Sequence, residues 1–290
     1  MKAAYDLRGK DPVFTLLVYA ILIGFLLCIV IPFVYVITSS FATEHEILNR
    51  GFFLFPREWT IEAYGYLMSN WNFVNAFKNS VTITVCGTAI NIALTSLMAY
   101  GLSKPWLRGR RVLNFLVLFT MIFSGGIIPT YLVVRELGLL NSYWALYLNS
   151  AIAPFNLIVM RSFFQNIPQE LDEAARIDGC SEWRLFLRII LPLSMPAVAT
   201  FTLFYAVFNW NTYFYAILFL NNSNDWPLQV YLRQMLIIST SSMEDEAGNF
   251  HYTPAVKMAA VIITALPLLV VYPFLQKHFN KGMLLGSVKG

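Results

Sequence analysis

Six long apolar runs, none of which contains Asp, Glu, Lys or Arg, constrain the fold of this chain more than any other feature. They cover about residues 13–37, 81–102, 112–134, 143–160, 197–220 and 258–276. A helix needs about 20 apolar residues to cross the hydrocarbon core of a bilayer. Charged residues make up 12% of the chain and hydrophobic residues 58%, against about 25% charged in a soluble domain. The sequence therefore predicts an all-α integral membrane protein whose six transmembrane helices form a single transmembrane domain over residues 1–290.

Basic residues precede the first run, as they do in a signal peptide. The run is longer than the roughly 7–15 apolar residues of a signal peptide, and no small-residue cleavage site follows it. We therefore expect the first run to be a retained span.

The distribution of Lys and Arg predicts the orientation of the spans. With the N-terminus inside, the inner segments hold 14 of these residues and the outer segments at most 6. Cytoplasmic loops of membrane proteins carry the excess of Lys and Arg. We therefore expect a multi-pass protein with both termini in the cytoplasm and with the acidic segment 221–254 outside.

Several classes of function lack the residues that they need. The net charge of +4 is small and the basic residues are scattered over several loops, which argues against nucleic-acid binding. His45, His251 and His278 lie far apart, so no metal site is expected, and no H-E-x-x-H motif of a membrane enzyme is present. The spans hold no carboxylate or histidine for the proton relay of a secondary transporter. The phosphate-binding motif G-x-x-x-x-G-K-[ST] is also missing, so a separate ATPase fits better as the source of energy.

The loop between the fourth and fifth runs, residues 161–196, carries the most patterned polar sequence. Pro168 suits the first turn of a helix, and acidic residues that include Asp172 follow at its positive end. Asp172 and Arg176 stand four apart in the orientation that favours an ion pair, and Gly179 is a natural stop. The pattern predicts a short helix of about two and a half turns. These residues alone fit both a helix that binds a partner and a loop that is simply packed.

This loop resembles the EAA motif of bacterial ABC importer permeases. The matching residues, at the spacing of that motif, are Glu173-Ala174-Ala175, Gly179, Ile189 and Leu191-Pro192. In that family the short helix is a coupling helix, which inserts into a groove on the ATP-binding subunit. The resemblance implies that the residues in contact with the ATPase are Glu173, Ala174, Ala175, Asp178 and Gly179.

Three weaker motifs resemble the carbohydrate-uptake branch of that family, in particular the half similar to the smaller maltose permease and permeases for oligosaccharides or polysaccharide fragments. They are residues 124–131, 208–211 and 281–290. Importers of amino acids, metals and phosphate share the EAA loop, so the sugar assignment depends on these motifs and on the uncharged spans. The resemblance implies a permease subunit, not an enzyme, of an ATP-driven importer that moves a carbohydrate delivered by an external solute-binding protein.

The same resemblance implies an assembly in the bacterial plasma (inner) membrane. We expect a heterodimer with a second, related permease, joined by two ATP-binding subunits. ATP and Mg would be bound by those subunits, and no cofactor is expected on this chain.

Amides and aromatic rings are the main polar groups within the spans. Amides offer donors and acceptors to sugar hydroxyls, and aromatic faces can pack on pyranose rings, so the predicted substrate-pathway residues are Asn209, Trp210, Tyr213 and Asn156. Asn209 and Tyr213 stand four apart and would share one face of a continuous fifth span. The alternative is that these amides stabilise helix packing. Acidic sugars such as uronate oligomers stay compatible with these uncharged spans if a partner permease supplies Arg or Lys.

Overall fold

The computed structural model describes residues 12–241 and 252–286, and within them the chain is almost wholly helical. An isolated bridge between Ala42 and Trp59 is the one β-type pairing in these ranges. The helices are α1 (Pro12–Ser40), α2 (Glu44–Arg50), α3 (Glu62–Ser69), α4 (Trp71–Ser103), α5 (Arg110–Ile122), α6 (Ile127–Glu136), α7 (Tyr143–Asn149), α8 (Pro154–Gln165), α9 (Gln169–Ile177), α10 (Glu182–Leu185), α11 (Leu191–Leu193), α12 (Met195–Trp210), α13 (Phe214–Phe219), α14 (Leu228–Ser241) and α15 (Pro254–Gly286). A π-helical turn (Phe186–Ile190) joins α10 to α11, and a 3-10 turn (Ser223–Asp225) precedes α14.

Three of the described helices are long and apolar enough to cross a bilayer. They are α1 over Val13–Ser40, the whole of α4, and α15 over Pro254–Pro273. Three bent pairs also qualify if each pair counts as one span: α5 with α6, α7 with α8, and the helical segment Glu182–Leu193 with α12. The all-α membrane fold predicted from the sequence is confirmed, with three clear spans and up to six.

By its internal contacts the chain divides into two compact units. The first comprises residues 12–69, 235–241 and 252–264, and the second comprises residues 70–234 and 265–286. The organisation as a single transmembrane domain with the six span bounds given above stays a prediction.

In the first unit, α1 is apolar and open on all sides. Nearly every side chain from residue 13 to residue 33 is exposed, including Val13, Leu16 and Phe25. Such a surface suits lipid or another apolar protein surface and not water. Polar packing begins only at the end of the helix, where Ser39 and Ser40 are buried.

Hydrogen bonds and an ion pair hold together the segment that follows α1. Ser40 Oγ and Tyr64 OH lie 2.7 Å apart. The Glu46 carboxylate accepts from the Arg57 amide at 2.9 Å and forms an ion pair with Arg50. Burial by itself raises the pKa of the Glu46 carboxyl, but these hydrogen bonds outweigh burial and hold the pKa below its usual value.

In the second unit, α4 is the helix on which the others pack, chiefly α12 and α8. Two apolar clusters lie along it. The inner cluster joins α4 to α5, α8, α9, the π-helical turn and α12 through residues such as Ala99, Leu102, Val117, Met160, Phe164, Ala175, Phe186 and Phe201. The outer cluster joins α4 to α6, α7, α13 and α14 through residues such as Ile83, Val134, Leu146, Tyr147, Phe219 and Val230.

The predicted third span, residues 112–134, is not one straight helix. It consists of α5 and α6, which are bent by 118° at the short break between them. Gly126 begins α6 with φ 86° and ψ 177°, a backbone region that is essentially restricted to glycine. Gly126 therefore makes the sharp turn possible.

The predicted fifth span, residues 197–220, is interrupted between α12 and α13. At the break the Asn211 side chain donates to the Val207 carbonyl at 2.8 Å. A short polar side chain that occupies a helix carbonyl in this way competes with the continuing helix. The prediction that Asn209 and Tyr213 share one face of a continuous helix is therefore wrong, because the break separates them.

We predict that Gly126→Ala destabilises the protein, whereas Gly125→Ala does so much less. No atom lies within 4 Å of a Cβ added at Gly126, so the cost would come from its backbone conformation, about 1–3 kcal/mol. At Gly125 the nearest atom is Pro129 Cβ at 3.9 Å, an ordinary contact. Thermal unfolding of the two variants in detergent tests this. Equal unfolding temperatures would contradict it.

Candidate coupling and transport site

The short helix α9 ends on a glycine, as the sequence predicts. Gly179 has φ 73°, a left-handed conformation that glycine adopts without strain. The Cys180 amide donates to the Ala175 carbonyl at 2.9 Å, and the Gly179 amide donates to the Arg176 carbonyl at 3.0 Å. These two bonds form a Schellman motif, so the residue following the helix is fixed in position.

The five predicted coupling residues do not all lie on one surface. Ala175 is 6% exposed and belongs to the inner apolar cluster. The other four, Glu173, Ala174, Asp178 and Gly179, are exposed. The same helix also exposes apolar side chains, notably Ile177 at 86%. An exposed surface of mixed apolar and acidic residues on a short helix is a candidate protein interface.

An ion pair fastens α9 to the C-terminal end of α4. The expected pair of Asp172 with Arg176 is wrong, because Asp172 pairs with Lys104. Lys104 follows α4 directly and is 5% exposed, and a buried cation needs a counter-ion close by. The Lys104 ammonium also lies 4.5 Å from the centre of the Tyr100 ring. The Lys104–Asp172 ion pair therefore makes the position of α9 depend on that of α4.

Arg176 and Tyr100 meet at a second carboxylate, that of Glu182. Arg176 donates to Glu182 at 2.6 Å, and the Tyr100 hydroxyl donates to it at 2.8 Å. The Arg176 guanidinium also lies 5.7 Å from the centre of the Trp106 ring. A cavity of about 340 Å³ borders the Lys104–Asp172 pair. On this side, polar contacts rather than close apolar packing therefore hold α9.

The predicted pathway residue Asn209 lies inside the helix packing. It is 4% exposed, and its amide donates to Asn91 Oδ1 at 2.9 Å and to Thr88 Oγ1 at 3.2 Å. Asn91 in turn donates to the Ser150 carbonyl at 2.7 Å. A Cβ added at Gly87 would lie 3.0 Å from the Asn209 amide nitrogen, so α4 approaches α12 closely here. These bonds favour a packing role for Asn209 in this conformation.

The other three predicted pathway residues are placed differently from one another. Trp210 and Asn156 are buried, at 5% and 8% exposure, and the Trp210 ring meets Phe77 edge to face at 5.8 Å. Tyr213 is half-buried and lies in the break between α12 and α13. The structure does not bring the four side chains into one lining, and their pathway role stays a prediction.

Around Tyr213 the structure gathers four polar side chains, which we call the outer polar group: Asn211, Tyr213, Gln229 and Arg233. Sequence reasoning predicted Tyr213 as a site residue but missed its neighbours Gln229 and Arg233. Arg233 donates to the Tyr213 hydroxyl, and its guanidinium carbon lies 4.6 Å from the centre of the Tyr213 ring. Gln229 donates to Asn211 at 3.2 Å. Gln229 and Arg233 stand four apart on α14, a spacing that could have revealed a polar helix face within the segment taken as a loop.

Comparison with known proteins identifies the class to which this arrangement belongs. Residues 91–285 match the family described as the inner membrane component of binding-protein-dependent transport systems. The chain belongs to this family, as a multi-pass protein of the inner membrane. Within the ranges that the structure describes, no group of three His, Cys, Asp or Glu residues could hold a metal ion.

Individual relatives narrow the class further. The chain is 52% identical over 285 residues to the polygalacturonan/rhamnogalacturonan transport system permease protein YtcP of Bacillus subtilis, covering 97% of this chain and all of that protein. It is 53% identical over 264 residues to the protein LplC of the same organism, covering 90% of each. It is thus a permease of the carbohydrate-uptake branch of the ABC importers, not an enzyme.

Two solved structures share the fold. One is a chain of a bacterial ABC transporter that imports the acidic polysaccharide alginate, with TM-score 0.86 and 34% identity, covering 93% of this chain and 98% of that chain. The second comes from a bacterial alginate ABC transporter in complex with a periplasmic protein that holds an alginate pentasaccharide, with TM-score 0.61 and 17% identity. It covers 89% of this chain and 92% of that chain.

We predict that Asn209→Ala lowers thermal stability, because it removes two hydrogen bonds between α4 and α12. Interhelical hydrogen bonds in membranes contribute about 0.6 kcal/mol each and at most about 1.7, so a loss of about 1–3 kcal/mol is expected. Thr200→Ala is the control, since Thr200 lies on the same helix and its hydroxyl donates to the Pro196 carbonyl within that helix. Unchanged unfolding of Asn209→Ala, together with lost uptake, would instead make Asn209 a pathway residue.

Proposed function

We propose that this chain forms one half of a pathway through which an ATP-driven importer moves a carbohydrate oligomer delivered by an external solute-binding protein. The other half would be a second, related permease, and two ATP-binding subunits would carry the ATP and Mg. The observation that carries the proposal is the exposed face of α9 beside the buried Lys104–Asp172 pair. A helix that offers a partner surface and is fastened to a spanning helix can transmit movement between the two.

The coupling residues divide into two roles in this proposal. Glu173, Ala174, Asp178 and Gly179 contact the ATP-binding subunit, which their exposure permits. Ala175 contributes from the opposite side, by seating α9 on the inner apolar cluster. The small side chain at position 174 lets the partner approach closely, and the Lys104–Asp172 ion pair keeps the helix in register with α4.

The pathway proposal rests most directly on Tyr213. Its half-buried ring lies beside exposed polar groups, as a lining residue requires. The proposal also includes three buried residues, Asn209, Trp210 and Asn156. These would become exposed to the pathway when α12 moves against α4. The break between α12 and α13 supports this assignment, since non-helical backbone at membrane depth is tolerated where it is buried in protein or lines a water-filled cavity.

The orientation proposed here has both termini in the cytoplasm, α9 inside and the 3-10 turn outside. We predict that a cysteine probe at Ser223 is labelled by a membrane-impermeant maleimide in spheroplasts, whereas one at Ser181 is labelled only after lysis. Both side chains are exposed in the structure. The background variant would carry Ser at Cys28, Cys86 and Cys180. The opposite labelling pattern would refute the orientation.

We predict that Ala174→Glu and Gly179→Asp leave the importer assembled in the membrane but uncouple ATP hydrolysis from uptake. Position 174 is exposed, and aspartate is among the residues that tolerate the left-handed backbone of position 179. Uptake should fall at least about tenfold, the effect of losing roughly 1.4 kcal/mol of coupling.

The matched control for this prediction is Ala175→Glu, one residue along the same helix. Because Ala175 is buried, its replacement by a charged residue should lower the amount of folded protein. It should not uncouple ATP hydrolysis from uptake in the protein that does fold. ATPase rate and uptake measured on the same proteoliposomes separate the two effects. Full uptake by Ala174→Glu would remove Ala174 from the coupling contact.

A further inference from the structure

Arg233 is the one basic member of the outer polar group, and its position is set by an aromatic ring. Its guanidinium lies over the Tyr213 ring at 4.6 Å and donates to the Tyr213 hydroxyl. Guanidinium groups stack on aromatic faces in this way, and the stacked arrangement restricts an otherwise flexible side chain. Arg233 is therefore held in place before any ligand arrives.

No carboxylate in the part of the chain that the structure describes neutralises Arg233. The ion pairs found there join Arg50 to Glu46, Lys104 to Asp172 and Arg176 to Glu182. A guanidinium has five donors in a planar fork that matches the two oxygens of a carboxylate. The Arg233 side chain is exposed, and its bond to Tyr213 uses one of these donors.

The amides beside Arg233 suit the remainder of a sugar. Gln229 lies one helical turn before Arg233 on α14, and it is linked to the exposed Asn211 at 3.2 Å. Amides both donate to and accept from hydroxyl groups. A group that can bind a carboxylate, the Arg233 guanidinium, therefore lies next to amides that can bind hydroxyl groups.

We propose that the outer polar group binds an acidic sugar residue, with Arg233 holding its carboxylate and with Gln229 and Asn211 meeting its hydroxyls. The proposal rests on the proposed function and adds to it the charge of the solute and the residue that selects it. An anionic oligosaccharide is then preferred through a charge on this chain.

The test uses the full importer in proteoliposomes with its solute-binding protein, supplied with radiolabelled trigalacturonate or with maltotriose as a neutral trisaccharide. Arg233→Gln should lower the uptake efficiency for trigalacturonate about 10- to 100-fold, the effect expected from losing a charge-assisted hydrogen bond. Arg233→Lys, which keeps the charge but lacks the fork, should give an intermediate rate. Arg135→Gln, at another exposed outer arginine, should stay within about twofold of the wild type.

A second measurement distinguishes the sugar from the solute-binding protein as the partner of Arg233. The affinity of the loaded binding protein for the importer should be the same for the wild type and for Arg233→Gln. A parallel loss of that affinity would assign Arg233 to a protein contact and overturn the proposal. Undiminished trigalacturonate uptake by Arg233→Gln would overturn it as well.

The wild-type importer separates this inference from the proposed function. If it takes up maltotriose but not trigalacturonate, carbohydrate transport stands and the acidic preference is wrong. If it takes up neither trisaccharide nor any longer oligomer of either series, the proposed function fails together with the inference.

Discussion

A polar group within a membrane must find its partner in the protein, and α4 supplies such partners at three levels. At its inner end Lys104 holds Asp172 of α9. In its middle, Asn91 and Thr88 hold Asn209 of α12. Near its outer end, Ser80 Oγ accepts from the Leu228 amide at 2.7 Å. Because lipid offers no substitute for the bonds that lie within the spans, the arrangement of the second unit depends on α4.

The sequence was most informative where the deciding interactions are local. The start of α9, its acidic first turn and its stop at Gly179 all follow from residues within a few positions of one another, and the structure agrees. The apolar runs likewise indicated membrane helices, because the length and apolarity of a run can be seen in the sequence without knowing which residues it contacts. The residues that contact an ATPase came from the resemblance to a family and not from any local rule.

Sequence reasoning failed where a distant residue decided the outcome. Asp172 has Arg176 at the spacing of an ion pair, yet it bonds to Lys104, 68 positions away along the chain. The burial of Lys104 makes its need for a counter-ion greater than that of a half-solvated Arg176, and burial is not visible in the sequence. The break after α12 was missed for a different reason, since Asn211 lies in an otherwise uninterrupted apolar run. The outer polar group could not be predicted either, because it forms only where α14 packs beside that break.

The length of α4 has a mechanical consequence. With 33 residues it is about 50 Å long, whereas the hydrocarbon core of a bilayer is about 30 Å thick. Such a helix is longer than that core is thick, so a tilt at one end moves the other end. A tilt of about 5° around its inner end would carry its outer end sideways by about 4 Å. A displacement of α9 that tilts α4 in this way would therefore reach the far end of the helix as a movement of several ångströms.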